Sequence, residues 1–361
     1  MAMTVGTEQS ASDRLLEKLE KDATASKIAD WDDGFVPSGC NGTKGRMVIE
    51  QSRSKPGLVA IRENIVPEEL AQDLYNSAVE AGVWGEYVSL QEIDDLMMPD
   101  ENDVDSSKTT NKRRQLAAQA VHSFFRESFA DLVREDWEVD KTVHGVSVWV
   151  IASGVGNSVQ YHIDYAEMFR FQTNTIYPPM YGGTLHLTNT TQMEGGGFYV
   201  HRDGLEHYRR YKYKCPIEKL GWDGEGINTT TNDSEESDSN WVEVPYKYNQ
   251  GTPCDGDLPH FSAPVRKLGD NLKRVIVGFN VCNHEIGPIV QEFPEHSAKF
   301  NRFVKLSQTV SKTTSGSGGL TVEACKANPK LAAFVKLLAR KMKEAEARKQ
   351  EENKCKDETC T

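Results

Sequence analysis

The stretch "SVQYHIDYAEMF" sets His162 and Asp164 two positions apart, and "FYVHRDG" does the same with His201 and Asp203. An imidazole and a carboxylate at this spacing share one side of a β-strand, because alternate side chains point the same way. Two histidines and one carboxylate on one face of an octahedron leave three positions open, a set that suits non-haem Fe(II) and dioxygen chemistry. A third ligand then has to come from another strand. "DGDLPHFSAPV" offers His260 in a short apolar run, and "KRVIVGFNV" opens a strand with Arg274. On that strand Arg274, Ile276 and Gly278 share one face, and Val275, Val277 and Phe279 the other. An arginine heading so apolar a strand either snorkels outward or meets a buried anion.

The two histidine–aspartate pairs are not equivalent. Between His162 and His260 lie three or more candidate strands and a polar insertion. Were His201 and Asp203 the ligands, most remaining strands would have to come from 204–259, much of which is acidic insertion. We therefore take His162, Asp164 and His260 as the candidate metal ligands and place His201 at a strand end before a turn. His144, His186, His207 and His284 lack positional support and read as structural.

The elements that must hold these residues are legible in outline. Residues 1–55 are polar and are read as a partly disordered segment. "GLVAIRENIV" reads as a strand. A helix then begins near Pro67, with Glu68 and Glu69 in its first turn, and stops at Gly82, with Leu70, Leu74, Ala78 and Ala81 on one face. A polar loop over 98–112 precedes a second helix carrying Ala117, Val121, Phe124, Phe125, Phe129, Leu132 and Val133 at helical spacing. These supporting elements occupy 56–141. From 142 to 290 short β-like runs alternate with Gly/Pro turns, which predicts a mainly β core with flanking helices and a sandwich or jelly roll among the candidates. A flexible acidic insertion is expected at 222–240, and a C-terminal helical extension at 291–361, with an apolar stripe of Leu331, Phe334, Val335, Leu338 and Met342.

The sequence resembles the Fe(II)- and 2-oxoglutarate-dependent dioxygenases, most closely their prolyl-4-hydroxylase-like branch. The residues that carry the resemblance run in order over about 56–283: "PGLVAIRENIVPEELAQDLYNSA", "YHIDYAE", "LHLTN" with "EGGGFYV" and its Gly195–Gly196 turn, "LPHFSAPV", and "KRVIVGFN". The resemblance implies a double-stranded β-helix (jelly roll) and Fe(II) held by His162, Asp164 and His260. It also implies 2-oxoglutarate paired through its far carboxylate with Arg274, dioxygen as oxidant and ascorbate as an accompanying reductant. Arg266, in the turn-like "VRKLGDN", competes with Arg274 for the co-substrate. The implied reaction is hydroxylation of an unactivated C–H bond in a peptide or small molecule, releasing succinate and carbon dioxide. A jelly-roll protein that binds a metal or ligand without redox chemistry is the alternative.

Composition bounds the partners. The 361 residues carry a formal net charge of −12, which argues against a general nucleic-acid binder. No signal-peptide core or membrane-length apolar stretch is visible, so a cytoplasmic protein is expected. Seven scattered cysteines without a CxxC pair indicate neither a disulfide framework nor a zinc knuckle. Nothing in the sequence speaks to oligomeric state. The loops expected to choose the substrate are 84–112, 165–183 and 203–240, with Tyr87, Phe169, Phe171, Tyr177 and Tyr181 as aromatic contacts.

Overall fold

The computed structural model describes residues 46–47, 57–97, 112–169, 175–227 and 240–301, all within the unit Ala29–Asn301. The sequence-based expectations for most of the N-terminal segment, the polar loop before Lys112, the centre of the acidic insertion and the C-terminal helical extension beyond residue 301 lie outside the described residues. No described helix is long and apolar enough to cross a membrane.

The strands in chain order begin with β1 (Arg46–Met47), β2 (Arg62–Glu63), β3 (Val83–Ser89), β4 (Val143–Ser153) and β5 (Val159–His162). Next come β6 (Thr175–Ile176), β7 (Tyr181–His186), β8 (Met193–Gly195), β9 (Phe198–His201) and β10 (Trp241–Val244). The last are β11 (Gln250–Asp255), β12 (His260–Ser262), β13 (Val265–Leu268) and β14 (Arg274–Asn283). A six-stranded antiparallel sheet has the order β2-β11-β7-β14-β4-β3, and a four-stranded one the order β10-β9-β12-β5. β8 and β13 form a separate ribbon, and β1 pairs with β6.

The six-stranded sheet has two different faces, set by the alternation of its longest strand. Val275, Val277, Phe279 and Val281 of β14 face the helices, as do Val146, Val148 and Val150 of β4. Against them pack α1 (Glu68–Ala81) and the helical stretch from α3 (Lys112–Val121) through α4 (Ala130–Arg134); α2 (Leu90–Met97) lies between α1 and α3 in the chain. The α1 boundaries follow the expected signals: Pro67 precedes the first turn and Gly82 ends it at φ 76°, a conformation that favours glycine. Beyond α3 the chain widens into π-helical turns at His122–Ser128 and Glu135–Val139. That local rewinding accompanies the burial of Phe124, Phe125 and Phe129 together. Phe124 is the hub, with ring centroids 4.6–4.9 Å from Phe125, Phe129 and Phe279.

The other face looks toward the four-stranded sheet. Phe198, Val200 and Val244 of that sheet pack with Cys254 and Leu258 from the β11 side. Two glycines on this face make room for close neighbours. A Cβ at Gly278 would lie 2.1 Å from the Trp149 ring, and one at Gly85 would lie 1.7 Å from the Glu295 carbonyl oxygen. The outer face of the four-stranded sheet buries Tyr161, Tyr199 and Phe261 beneath α5 (Leu205–Tyr211) and the turn ending at Leu220. α6 (Gly287–Glu292) packs against β4.

Three expectations need correction. "GLVAIRENIV" contributes only the two-residue β2 and a bridge from Val59 to Cys254, because Asn64 turns the chain at φ 57°. Residues 84–97 are not loop: they form most of β3 and all of α2, and Tyr87 is buried at 1% exposure with its hydroxyl on His144 Nδ1. "QGTPCD", not foreseen as a strand, is β11, paired on both sides.

Candidate metal centre

His162 is the last residue of β5, and His260 the first of β12; the two stand directly opposite in the antiparallel ladder. Asp164 follows β5 by two residues, which returns its side chain to the same side. The three side chains offer ligand atoms that all lie within 4.8 Å of one another. Asp164 Oδ1 is 3.2 Å from His162 Nε2 and 3.9 Å from His260 Nε2, and the imidazole centroids are 4.4 Å apart.

Backbone carbonyls fix how each ring is presented. His162 Nδ1 donates to the Gln160 carbonyl at 2.6 Å, and His260 Nδ1 donates to the Leu258 carbonyl at 2.9 Å. With Nδ1 tied to a carbonyl, Nε2 of each ring is the nitrogen directed at the space shared with Asp164 Oδ1. That is the arrangement by which outer partners orient metal-binding histidines. The donor set of two nitrogens and one carboxylate oxygen therefore fits a divalent transition ion with open positions.

Electrostatics agree with a carboxylate held in its charged form. Burial alone would raise the Asp164 carboxyl, but the His162 hydrogen bond, the charges of His260 and His162, and the Asn280 amide hold it down at about 2. Burial and the neighbouring His162 push His260 down to about 4, so its ring is neutral and available as a ligand near pH 7. Among the described residues no other three His, Cys, Asp or Glu side chains converge in this way. The rival pair is placed elsewhere: His201 is buried on the outer face of β9 and accepts from the Asp203 backbone at 3.3 Å.

Arg274 begins β14 and is only 2% exposed. Its Nη2 donates to the Gly196 carbonyl at 3.0 Å, and the guanidinium lies 5.5 Å from the Tyr246 ring centroid. No carboxylate of the described residues pairs with it, and its Nε lacks a hydrogen-bond partner. His186 stacks on the same Tyr246 ring, at 4.2 Å and 6°. Burial and the Arg274 charge push His186 down to about 3. Arg266 differs: it is exposed on β13, donates to the Gly224 carbonyl at 3.0 Å and pairs with Glu225 at 3.1 Å. With Tyr199, Trp222 and Glu243 it lines a separate cleft of about 230 Å³ that contains none of the three metal-site residues.

Register places these groups on one face. Arg274, Ile276, Gly278 and Asn280 alternate inward along β14; His186 lies opposite Ile276, Thr184 opposite Gly278, and Thr252 opposite Thr184. Both His186 nitrogens and the Thr184 and Thr252 hydroxyls are buried with no hydrogen-bond partner among the described residues.

Sequence reasoning missed several neighbours. Asn280 reaches Asp164 from the opposite sheet. Glu295 and His296 come from the segment after α6, where burial, then the carboxylates of Asp164 and Glu167, raise the Glu295 carboxyl well above its ordinary range. His296 leans on Trp149, with ring centroids 6.2 Å apart. The signal available was His296 itself, a histidine outside every strand, and nothing distinguished it from His284.

No protein-family model matches the chain, and no curated protein matches it. Among solved structures it is similar to a prolyl-4-hydroxylase of Pseudomonas putida, at 10% identity over 73% of this chain and 99% of that one, TM-score 0.34. A prolyl hydroxylase of Trichoplax adhaerens, in complex with a hypoxia inducible factor oxygen degradation domain peptide fragment, is similar at 8% identity. That match covers 78% of this chain and 97% of the other, with TM-score 0.33. HygX of Streptomyces hygroscopicus, with nickel and 2-oxoglutarate bound, shares 11% identity over 63% and 83% of the two chains, TM-score 0.37. These likenesses are loose, so function has to be argued from the site.

Proposed function

We propose that the chain is an Fe(II)- and 2-oxoglutarate-dependent oxygenase of the prolyl-4-hydroxylase-like kind, and that its two facing sheets are the halves of a jelly roll. The observation that carries this reading is the convergence of His162, Asp164 and His260, with both Nδ1 atoms tied to backbone carbonyls. In this reading the two Nε2 atoms and Asp164 Oδ1 hold Fe(II), and the remaining positions are left to co-substrate and dioxygen.

Arg274 gives the reading its direction. A buried guanidinium without a carboxylate partner is costly, and a fork of this shape takes a carboxylate bidentately. We assign it the distal carboxylate of 2-oxoglutarate, with the unpartnered groups of His186, Thr184 and Thr252 lining the way between Arg274 and the metal. A protein that only bound a metal would have no use for that cation.

When bound, Fe(II) with 2-oxoglutarate and dioxygen supplies oxidation of a C–H bond: substrate, 2-oxoglutarate and dioxygen become hydroxylated substrate, succinate and carbon dioxide. The chain's own residues orient the co-substrate, keep the pocket dry and hold Asp164 ionised. The substrate is a peptide or a small molecule. The test is succinate release from 2-oxoglutarate across a substrate panel, with His162→Ala as control. Metal-dependent turnover that the variant abolishes supports the reading; turnover that survives it overturns it.

A further inference from the structure

The two oxygens of Asp164 have different surroundings. Oδ1 faces both Nε2 atoms. Oδ2 points away from them, toward the six-stranded sheet, where the Asn280 amide nitrogen donates to it at 3.1 Å and to the Phe279 carbonyl at 3.0 Å. The amide takes this orientation because the reverse would set its oxygen against a carboxylate oxygen. Asn280 is 4% exposed and sits in the middle of β14, laddered to Ser147 of β4 on one side and Gly182 of β7 on the other.

Asp164 itself has no such support, for it lies outside β5 in a segment without a ladder. A carboxylate on an irregular segment can rotate about χ2 and offer a metal one oxygen or two. We infer that Asn280 is a positioning residue for the metal centre: it holds Oδ2 back, so that Asp164 contributes Oδ1 alone and the open positions stay open. It joins the two sheets at the one ligand that β-sheet hydrogen bonding does not fix. This inference rests on reading the three residues as a metal site.

The test is Mn(II) affinity of the full chain, measured by titration, for wild type, Asn280→Ala, Asp164→Ala and the double variant, together with the melting temperature of each without metal. Loss of an outer-shell partner typically weakens metal binding on the order of 10-fold or more. The expected result is such a loss in Asn280→Ala, with little change in metal-free melting and no further loss when the substitution is added to Asp164→Ala. Should Asn280→Ala not be recovered folded, Asn280→Ser, whose hydroxyl is too short to reach Oδ2, is read in the same way. Affinity within twofold of wild type, or an equal loss on the Asp164→Ala background, overturns the inference. If Asp164→Ala itself leaves Mn(II) binding unchanged, the metal-site reading fails instead, so the two failures are distinguishable.

Discussion

Acidification tests the buried surroundings of Arg274 through His186. The ring is fully buried, stacked on Tyr246 and without a hydrogen-bond partner, and it is held down at about 3 by burial and the Arg274 charge. In the unfolded chain a histidine takes up its proton near 6.5. Between these values the unfolded state binds a proton that the folded state refuses. Stability is therefore fully present above about 6.5 and is lost as pH falls toward 3. At roughly 1.4 kcal/mol per unit, lowering the pH from 7 to 5 costs about 2 kcal/mol through this group alone. His186→Phe keeps a flat ring on Tyr246 and removes the titration. Urea unfolding of both proteins at pH 7 and pH 5, with metal chelated, should show wild type losing about 2 kcal/mol more than the variant. Other titrating groups, His260 and Asp164 among them, are common to both proteins and cancel. Equal losses would mean that His186 is not held neutral, and the description of the pocket would be wrong.

Gly85→Ala drives a methyl into the Glu295 carbonyl and should lower stability by about 1–3 kcal/mol, read as a lower melting temperature; an unchanged melt would refute the close approach. Phe124→Ala empties the centre of the helix-side core and should cost about 3–5 kcal/mol in chemical denaturation. Arg266→Ala removes an exposed pair with Glu225 and a hydrogen bond to the Gly224 carbonyl, both away from the three metal-site residues, so stabilisation of the metal-loaded protein by 2-oxoglutarate should match wild type in a thermal shift. Loss of that stabilisation would move the co-substrate role to Arg266.

The parts of the site that local rules govern could be read from the chain. Strand alternation put His162 and Asp164 on one side and gave Arg274 its face, and Pro67 and Gly82 marked α1. What escaped depended on register between distant strands. Nothing near Asn280 in sequence says that it meets Asp164, because that contact arises where the two sheets face each other. β3 is hard to read as a strand because Gly85 interrupts its apolar run, yet the glycine is there because the Glu295 backbone lies against it. β11 escaped for a similar reason: Gly251 and Pro253 look like turn residues, while Gly251 makes room for Ile65 and Phe124. Glu295 and His296 fall in the stretch assigned to the C-terminal extension, and only folding returns them to the site.

The most direct test is the melting temperature with Mn(II), with 2-oxoglutarate, and with both, for wild type and Arg274→Ala. At 2-oxoglutarate near 100 times its Kd, the metal-loaded wild type should gain about 2.7 kcal/mol, while the metal-free protein and Arg274→Ala gain far less. A 2-oxoglutarate effect that needs no metal, or one that Arg274→Ala retains in full, would contradict the account.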